Sequence, residues 1–314
     1  MKIKVFQAPA AESGNLSYPA LPAERNDRAS GWLPPLAATL AALRELGHGV
    51  RRDEIAEDRD SACDLLFVED AARLDVLPAD RRGARLLAGY AEHLPDDVTL
   101  LGGFDLILSP DPAVRAAATA AGAGRAEAWF PGAAPYTPAR PAAPALDVVF
   151  AGRIGKGTAV RSKRLVELAK APLGLRGEFT IGYALTAPPP PDLAAGIAMH
   201  LEDADPMDLL ARSRIAIHCR EDSDPAGPTR DMLAALAAGA MLLIDQGDWL
   251  RGVLEPGTEV ATYFGAQGLI DAVYRHLADE EGRRAIAEAG RKALVRRLSP
   301  GARAAALDGL LRRL

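Results

Sequence analysis

The sequence predicts an α/β protein built from two Rossmann-like, doubly wound domains facing a central cleft, and three observations carry that prediction. Short apolar runs without polar alternation recur between helical segments in both halves, as strands covered on both faces require. Residues 214–264 read as strand, polar loop, helix and strand, the βαβ unit of a parallel sheet. Between the halves lies PGAAPYTPARPAAP, residues 131–144, whose five prolines suit neither a helix interior nor a central strand and so mark a connector.

Taken in order, residues 3–6 form a short strand that opens into a long polar loop. A helix follows over 34–46, apolar at Leu36, Leu40, Leu43 and Leu46, and Gly47 closes it before an extended segment at Gly49-Val50. Residues 65–68 and 106–108 are further buried strands. Beyond the connector the alternation restarts, with strand at 147–151, helix at 162–171, strand at 179–183 and helix at 206–213. The strand at 215–218 then enters the polar loop, whose Ala/Leu helix ends at Gly239, and the strand at 240–244 follows at once. A short strand at 260–263 precedes helices over 266–278 and 280–297, and Ser299-Pro300 caps a last helix to residue 314. These limits give an N-terminal domain over 1–137, a linker over 138–146 and a C-terminal domain over 147–298. A final helix, 299–314, is free to pack back on the first domain.

Composition narrows the class. The 314 residues include 37 Lys+Arg against 42 Asp+Glu, a net charge of −5, which argues against a broad nucleic-acid footprint. Cys63 and Cys219 fall in or beside strands and read as buried thiols of a reducing compartment. The N-terminal MKIKVFQAPA enters a strand directly, and the longest apolar run, 232–244, is too short to span a bilayer, which takes roughly 20 residues. The expectation is a cytoplasmic protein with no transmembrane segment, compatible with peripheral membrane contact.

Two stretches could hold an anion. In GPTRDMLAALAAG the loop delivers Thr229 and Arg230 to the start of a helix at a strand's carboxyl end, where free N–H groups and a hydroxyl favour a diphosphate. In DVVFAGRIGKGTAVRSKRLVELAKA a strand runs into a glycine-rich turn. Gly152 admits close backbone approach there, Arg153 and Lys156 bring positive charge, and Arg161, Lys163 and Arg164 flank the next helix. The order of glycines fits neither a P-loop nor a dinucleotide fingerprint. Asp222 and Asp224 have the spacing of a metal-binding pair, but their setting reads as a solvated turn. Asn15, Ser17, Tyr18 and Trp32 in the long first loop are candidates for acceptor contact.

GRIGKG, GPTRDMLAALAAGAMLLID, LEPGTEVATYF and IAEAGRKALVRR occur in that order over residues 147–297. Together they resemble the C-terminal domain of GT-B glycosyltransferases of the "group 1" type, closest to the CgeB-like (spore maturation protein) branch. LRELGHGV, CDLLFVED and GFDLILSPDPAVRAAATAAG resemble the same family more loosely. The resemblance implies that the second domain binds a nucleoside-diphosphate sugar as substrate and the first an unidentified acceptor, with no further cofactor. It assigns donor contacts to Arg153 with Lys156 or Arg161, and to Arg230, with His218 and Arg220 near the nucleotide or sugar. One position departs from the pattern: where members carry a Glu for the donor ribose, five residues before the helix-ending Gly, this chain has Ala234. Asp231, one turn earlier, is the nearest carboxylate.

Sugar transfer leaves negative charge on the departing diphosphate, which Arg and Lys side chains and a helix N-terminus can stabilise without a metal. An inverting course needs a base, for which Asp70 at the end of the 65–68 strand is the candidate. The resemblance leans toward retention, which needs none. The expected activity is therefore a metal-independent glycosyltransferase. A catalytically silent nucleotide-sugar-binding protein, suggested by Ala234, and a nucleotide-sugar epimerase are the alternatives.

Overall fold

The computed structural model describes residues 1–6, 35–53, 63–69, 71, 84–138, 146–152, 159–170, 181–185, 191, 206–221, 226–250 and 252–314. Its first sheet is wholly parallel, with strand order β2-β1-β3-β4-β5-β6. The strands are β1 (Lys2–Phe6), β2 (Gly49–Asp53), β3 (Leu65–Val68), β4 (Leu86–Tyr90), β5 (Leu106–Ser109) and β6 (Ala126–Ala128). A parallel pairing needs a crossover, and α1 (Pro35–Ala42) and α2 (Pro112–Ala121) lie in two of them. Both faces are covered: Leu65 and Phe67 of β3 enter one apolar cluster while Leu66 and Val68 enter the other. That two-residue alternation within an all-apolar run is what a doubly wound sheet demands.

The second sheet is also parallel, ordered β11-β10-β9-β7-β8. Its strands are β7 (Leu146–Gly152), β8 (Ile181–Leu185), β9 (Ser213–His218), β10 (Met241–Asp245) and β11 (Ala261–Tyr263). On one face pack α4 (Pro206–Ala211), α5 (Arg230–Ala238) and α7 (Glu280–Arg297); on the other pack α3 (Ala159–Lys170) and α6 (Gly265–Ala278). β9 neighbours β7 although β8 lies between them in sequence, so the ends of β7, β9 and β10 stand side by side at the sheet's centre.

The last helix, α8 (Pro300–Leu311), begins at a Ser299 cap and buries Ala304, Leu307 and Leu311 in the first lobe's core. His48, in the turn after α1, is buried with Nε2 2.9 Å from Asp308 Oδ1 on this helix. Trp129 and Arg303 bond across the same junction, the indole N–H to the Arg303 carbonyl at 3.1 Å and Arg303 Nε–H to the Phe130 carbonyl at 2.9 Å.

Several limits differ from the sequence reading for identifiable reasons. The first helix stops at Ala42, because Arg44, Glu45, Leu46 and Gly47 turn back to carbonyls only three residues earlier. α3 starts at Ala159 and not 162, because a distant carboxylate caps it, as described below. β4 and β6 were not anticipated. LLAGY and AEA carry little strand propensity, and Gly89 is required where a Cβ would lie 2.6 Å from Phe104. α2 was likewise missed, although Asp111 caps it, Pro112 opens it and a left-handed Gly122 ends it.

Among the described residues no helix is long and apolar enough to cross a membrane. Both cysteines are buried thiols.

Candidate functional site

The site forms where three strand ends meet one helix start. Thr229 caps α5: its backbone is extended and its hydroxyl oxygen accepts the Met232 N–H at 3.4 Å. Asp231, in the first turn of α5, adds a carboxylate. Gly152 closes β7 beside it, and a Cβ there would sit 3.4 Å from Asp231 Oδ2 and 3.0 Å from Phe150 Cζ. The tight neighbour of such a Cβ is the Phe150 ring of the same strand, while Asp231 on the helix start stands at about contact distance.

β9 ends at His218, whose Nε2 lies 3.0 Å from Thr229 Oγ1. Burial, reinforced by the Arg161 and Arg220 cations, pushes the imidazole pKa down to about 3, so the ring is neutral. The other ring nitrogen, Nδ1, is buried with no hydrogen-bond partner among the described residues.

The turn that follows, residues 218–221, is pinned from four directions. Arg161 Nε–H donates to the Cys219 carbonyl at 2.8 Å. The Arg220 N–H reaches Asp245 Oδ2 at 2.8 Å, and Tyr263 O–H lies 3.1 Å from the His218 carbonyl. The Glu221 carboxylate accepts the Val160 and Arg161 backbone N–H groups at 3.2 and 2.5 Å, and so caps α3 from 60 residues away. Asp245, last residue of β10, also pairs with Arg164 and takes the Tyr263 hydroxyl at 3.0 Å. Tyr263 Oη and Cys219 Sγ are 3.1 Å apart. Burial raises both groups, the thiol to about 12 and the phenol further, so both stay protonated.

The structure therefore gathers Gly152, His218, Arg220, Thr229, Arg230 and Asp231 around one helix start. Arg161 is buried and spends its Nε–H on the Cys219 carbonyl. Arg153, Lys156 and Asp70 lie outside the described residues, as do Asp222, Asp224, the acceptor-loop candidates Asn15, Ser17, Tyr18 and Trp32, and residues 139–145 of the linker. Ala234 is buried in the apolar core of the second lobe, with Met232 and Leu233 beside it. Sequence reasoning missed Glu221, Asp245 and Tyr263. Asp245 had a signal, a carboxylate closing an apolar strand at its carboxyl end; the partners of Glu221 had none.

The first lobe borders this site. Gly227, in the loop leading to Thr229, packs so tightly on Pro110 that a Cβ would come within 2.4 Å of the proline Cβ. Pro110 directly follows β5, so the carboxyl edges of the two sheets meet here, which is where parallel sheets bind ligands. Half-buried Arg220 and Arg230, the neutral His218, the Thr229 cap and the positive end of α5 suit an anionic, polyoxygenated ligand. Among the described residues no three His, Cys, Asp or Glu side chains cluster as a metal site would require.

Residues 163–309 match a family model described as glycosyl transferase-like. The fold is similar over 100% of both chains to Anabaena HepE solved in complex with UDP and glucose, at a TM-score of 0.62 and 13% identity. AviGT4, a glycosyltransferase involved in avilamycin A biosynthesis, aligns with 100% of this chain and 97% of its own, at 0.64 and 16% identity. A glycosyltransferase from Rickettsia africae aligns over 99% and 97%, at 0.60 and 11% identity. No curated protein matches the sequence. The chain thus has the GT-B fold of glycosyltransferases, and its second half carries the pattern of a glycosyl transferase-like family.

Proposed function

We propose that the protein is a cytoplasmic, metal-independent, retaining glycosyltransferase of the CgeB-like branch. It moves a sugar from a nucleoside-diphosphate sugar to a glycan, lipid or protein acceptor. Residues 147–298 bind the donor and residues 1–137 the acceptor. The observation that carries this reading is Thr229-Arg230-Asp231 at the start of α5, set against the ends of β7 and β9. The similarity to HepE, solved also with UDP-glucose, supports the choice of a sugar nucleotide.

In this reading the anomeric C–O bond breaks with its electron pair leaving on the diphosphate. Arg230 and Arg220, joined by Arg153 and Lys156, compensate that charge together with the positive end of the α5 dipole. Neutral His218 adds no charge of its own; its bond to Thr229 fixes the cap at that end of the helix. Asp231 takes the ribose-binding duty that the family gives to the position of Ala234.

A second reading has one specific observation behind it. Ala234 is packed in the core, so the usual ribose carboxylate cannot be supplied from its place on the helix. A nucleotide-sugar-binding protein without transfer follows if Asp231 fails to substitute.

Thermal unfolding with UDP, GDP and UDP-glucose tests both. Ligand at 100 times its Kd stabilises by about 2.7 kcal/mol. Binding accompanied by slow donor hydrolysis, or by transfer to an added acceptor, supports the enzyme. Binding with neither supports the silent protein, and no binding of any sugar nucleotide defeats both.

A further inference from the structure

The Gly-Arg pair in IAEAGRKALVRR has no place in the site described above, yet its geometry is specific. Gly290 lets α7 lie against α5: a Cβ there would stand 2.5 Å from the Glu259 carbonyl oxygen and 2.9 Å from Leu236 Cδ2. The next residue, Arg291, reaches the far end of α5, where its guanidinium forks. Nη1–H donates to the Ala237 carbonyl and Nη2–H to the Tyr136 carbonyl, each at 3.1 Å. The Tyr136 N–H also donates to the Ala237 carbonyl, at 2.9 Å. Gly239, left-handed at φ 84°, leaves the room, since a Cβ there would crowd Arg291 Nη1 to 3.0 Å.

Tyr136 belongs to the segment that joins the lobes. Three residues earlier the Ala133 N–H donates to the Leu298 carbonyl at 2.9 Å, at the joint between α7 and α8. On the other side of that joint α8 is packed into the first lobe, and the Gly132 N–H donates to Thr39 Oγ1 of α1 at 2.8 Å. The two chain crossings between lobes are thus bonded to each other, and Arg291 bonds one of them to the last turn of α5. The other end of α5 holds Thr229 and Arg230.

We propose that Arg291 is a positioning residue that couples the inter-lobe connector to the anion-binding start of α5, about 13 Å along a rigid nine-residue helix. The functional part of this inference rests on the reading that α5 receives the donor diphosphate. Arg291 touches no ligand. It transmits through the helix, so that the setting of the lobes and the presentation of the Thr229-Arg230 cradle change together. The planar fork is what matters, because its two Nη atoms hold the two carbonyls at a fixed separation that the single, freely rotating Nζ of a lysine does not reproduce.

The test uses the full chain with Arg291→Gln and Arg291→Lys, and two measurements. Amide hydrogen exchange without ligand should accelerate at least tenfold in both variants over 133–138 and along all of α5, including the amides of residues 232–234. The strands β7 to β9 should be unchanged. Titration with UDP should show the Kd raised at least fivefold in both variants, lysine rescuing little. Acceleration confined to the last turn of α5 and the connector, or exchange unchanged throughout, overturns the coupling. So does an unchanged UDP Kd in a folded variant. If the natural protein binds no UDP, the donor reading is what falls, and the exchange pattern alone decides the coupling. Should Arg291→Gln fail to fold, Arg291→Lys carries both measurements.

Discussion

Replacing Asp245 with Asn isolates the charge that holds the centre of the site. The two side chains are nearly the same shape, and Asn can still accept from the Arg220 N–H or the Tyr263 hydroxyl. What it cannot do is neutralise Arg164, whose side chain is 19% exposed beside an Asp245 that is 12% exposed. Removing one partner of a buried pair strands the other, and the residual exposure here sets the expected cost at about 3 kcal/mol, the low end of the usual range. Adding Arg164→Met to Asp245→Asn removes the stranded cation, so the double variant should recover about 2 kcal/mol relative to the sum of the single changes. Urea unfolding, followed by tryptophan fluorescence and by circular dichroism, gives each value, and coincidence of the two probes checks that one transition is being measured. If Asp245→Asn costs less than about 0.5 kcal/mol, or if the two substitutions simply add, the Asp245–Arg164 pair is a solvated contact and does not organise the 218–221 turn.

Other expectations follow from single contacts. Arg230→Ala should weaken UDP binding by about 1.5–3 kcal/mol, the worth of a charged hydrogen bond, with little change in melting temperature; calorimetric titration and a thermal scan read the two halves of that statement. Gly89→Ala would drive a methyl to within 2.6 Å of the Phe104 ring and 2.9 Å of Ala71, so it should destabilise by about 1–3 kcal/mol in the same urea assay. His218 gives a pH signature. Its folded pKa of about 3 lies below the ordinary 6.5, so between those values the unfolded chain binds the extra proton and stability falls as pH falls. The natural protein should lose stability more steeply than His218→Gln from pH 6.5 downward, by up to about 1.4 kcal/mol per pH unit, and parallel curves for the two would show that the ring is not buried neutral.

How much of this was legible depends on whether an interaction is local in the chain. The strands at 65–68, 215–218 and 240–244 announce themselves as apolar runs, and Thr229 before an Ala/Leu helix ending in Gly239 is a complete start-and-stop signal. Each of those features is fixed within a dozen residues, and each appears in the structure close to its expected limits. Glu221 was opaque for the opposite reason. Its value lies in meeting Val160 and Arg161, and that meeting requires β9 to sit beside β7 in the sheet although β8 intervenes in the chain. Periodicity identifies strands but carries no information on their spatial order, so a cap supplied across that order leaves no mark on the helix it caps.

The same logic separates Arg161 and Arg164, which the sequence shows only as cations flanking one helix. They are three residues apart on α3, nearly one turn, yet Arg161 is committed to the Cys219 carbonyl and Arg164 to Asp245. Cys219 directly follows β9 and Asp245 ends β10, so sheet order again assigns the roles. Spent on structure, these two cations hold the floor of the site. In the proposed reading the charge that meets a ligand comes from Arg220 and Arg230, with Arg153 and Lys156. The floor combines one ion pair, Asp245–Arg164, with charged side chains bonded to backbone. Glu221 takes the Val160 and Arg161 N–H groups and Arg161 donates to the Cys219 carbonyl, so the groups that burial would penalise most have partners within the fold.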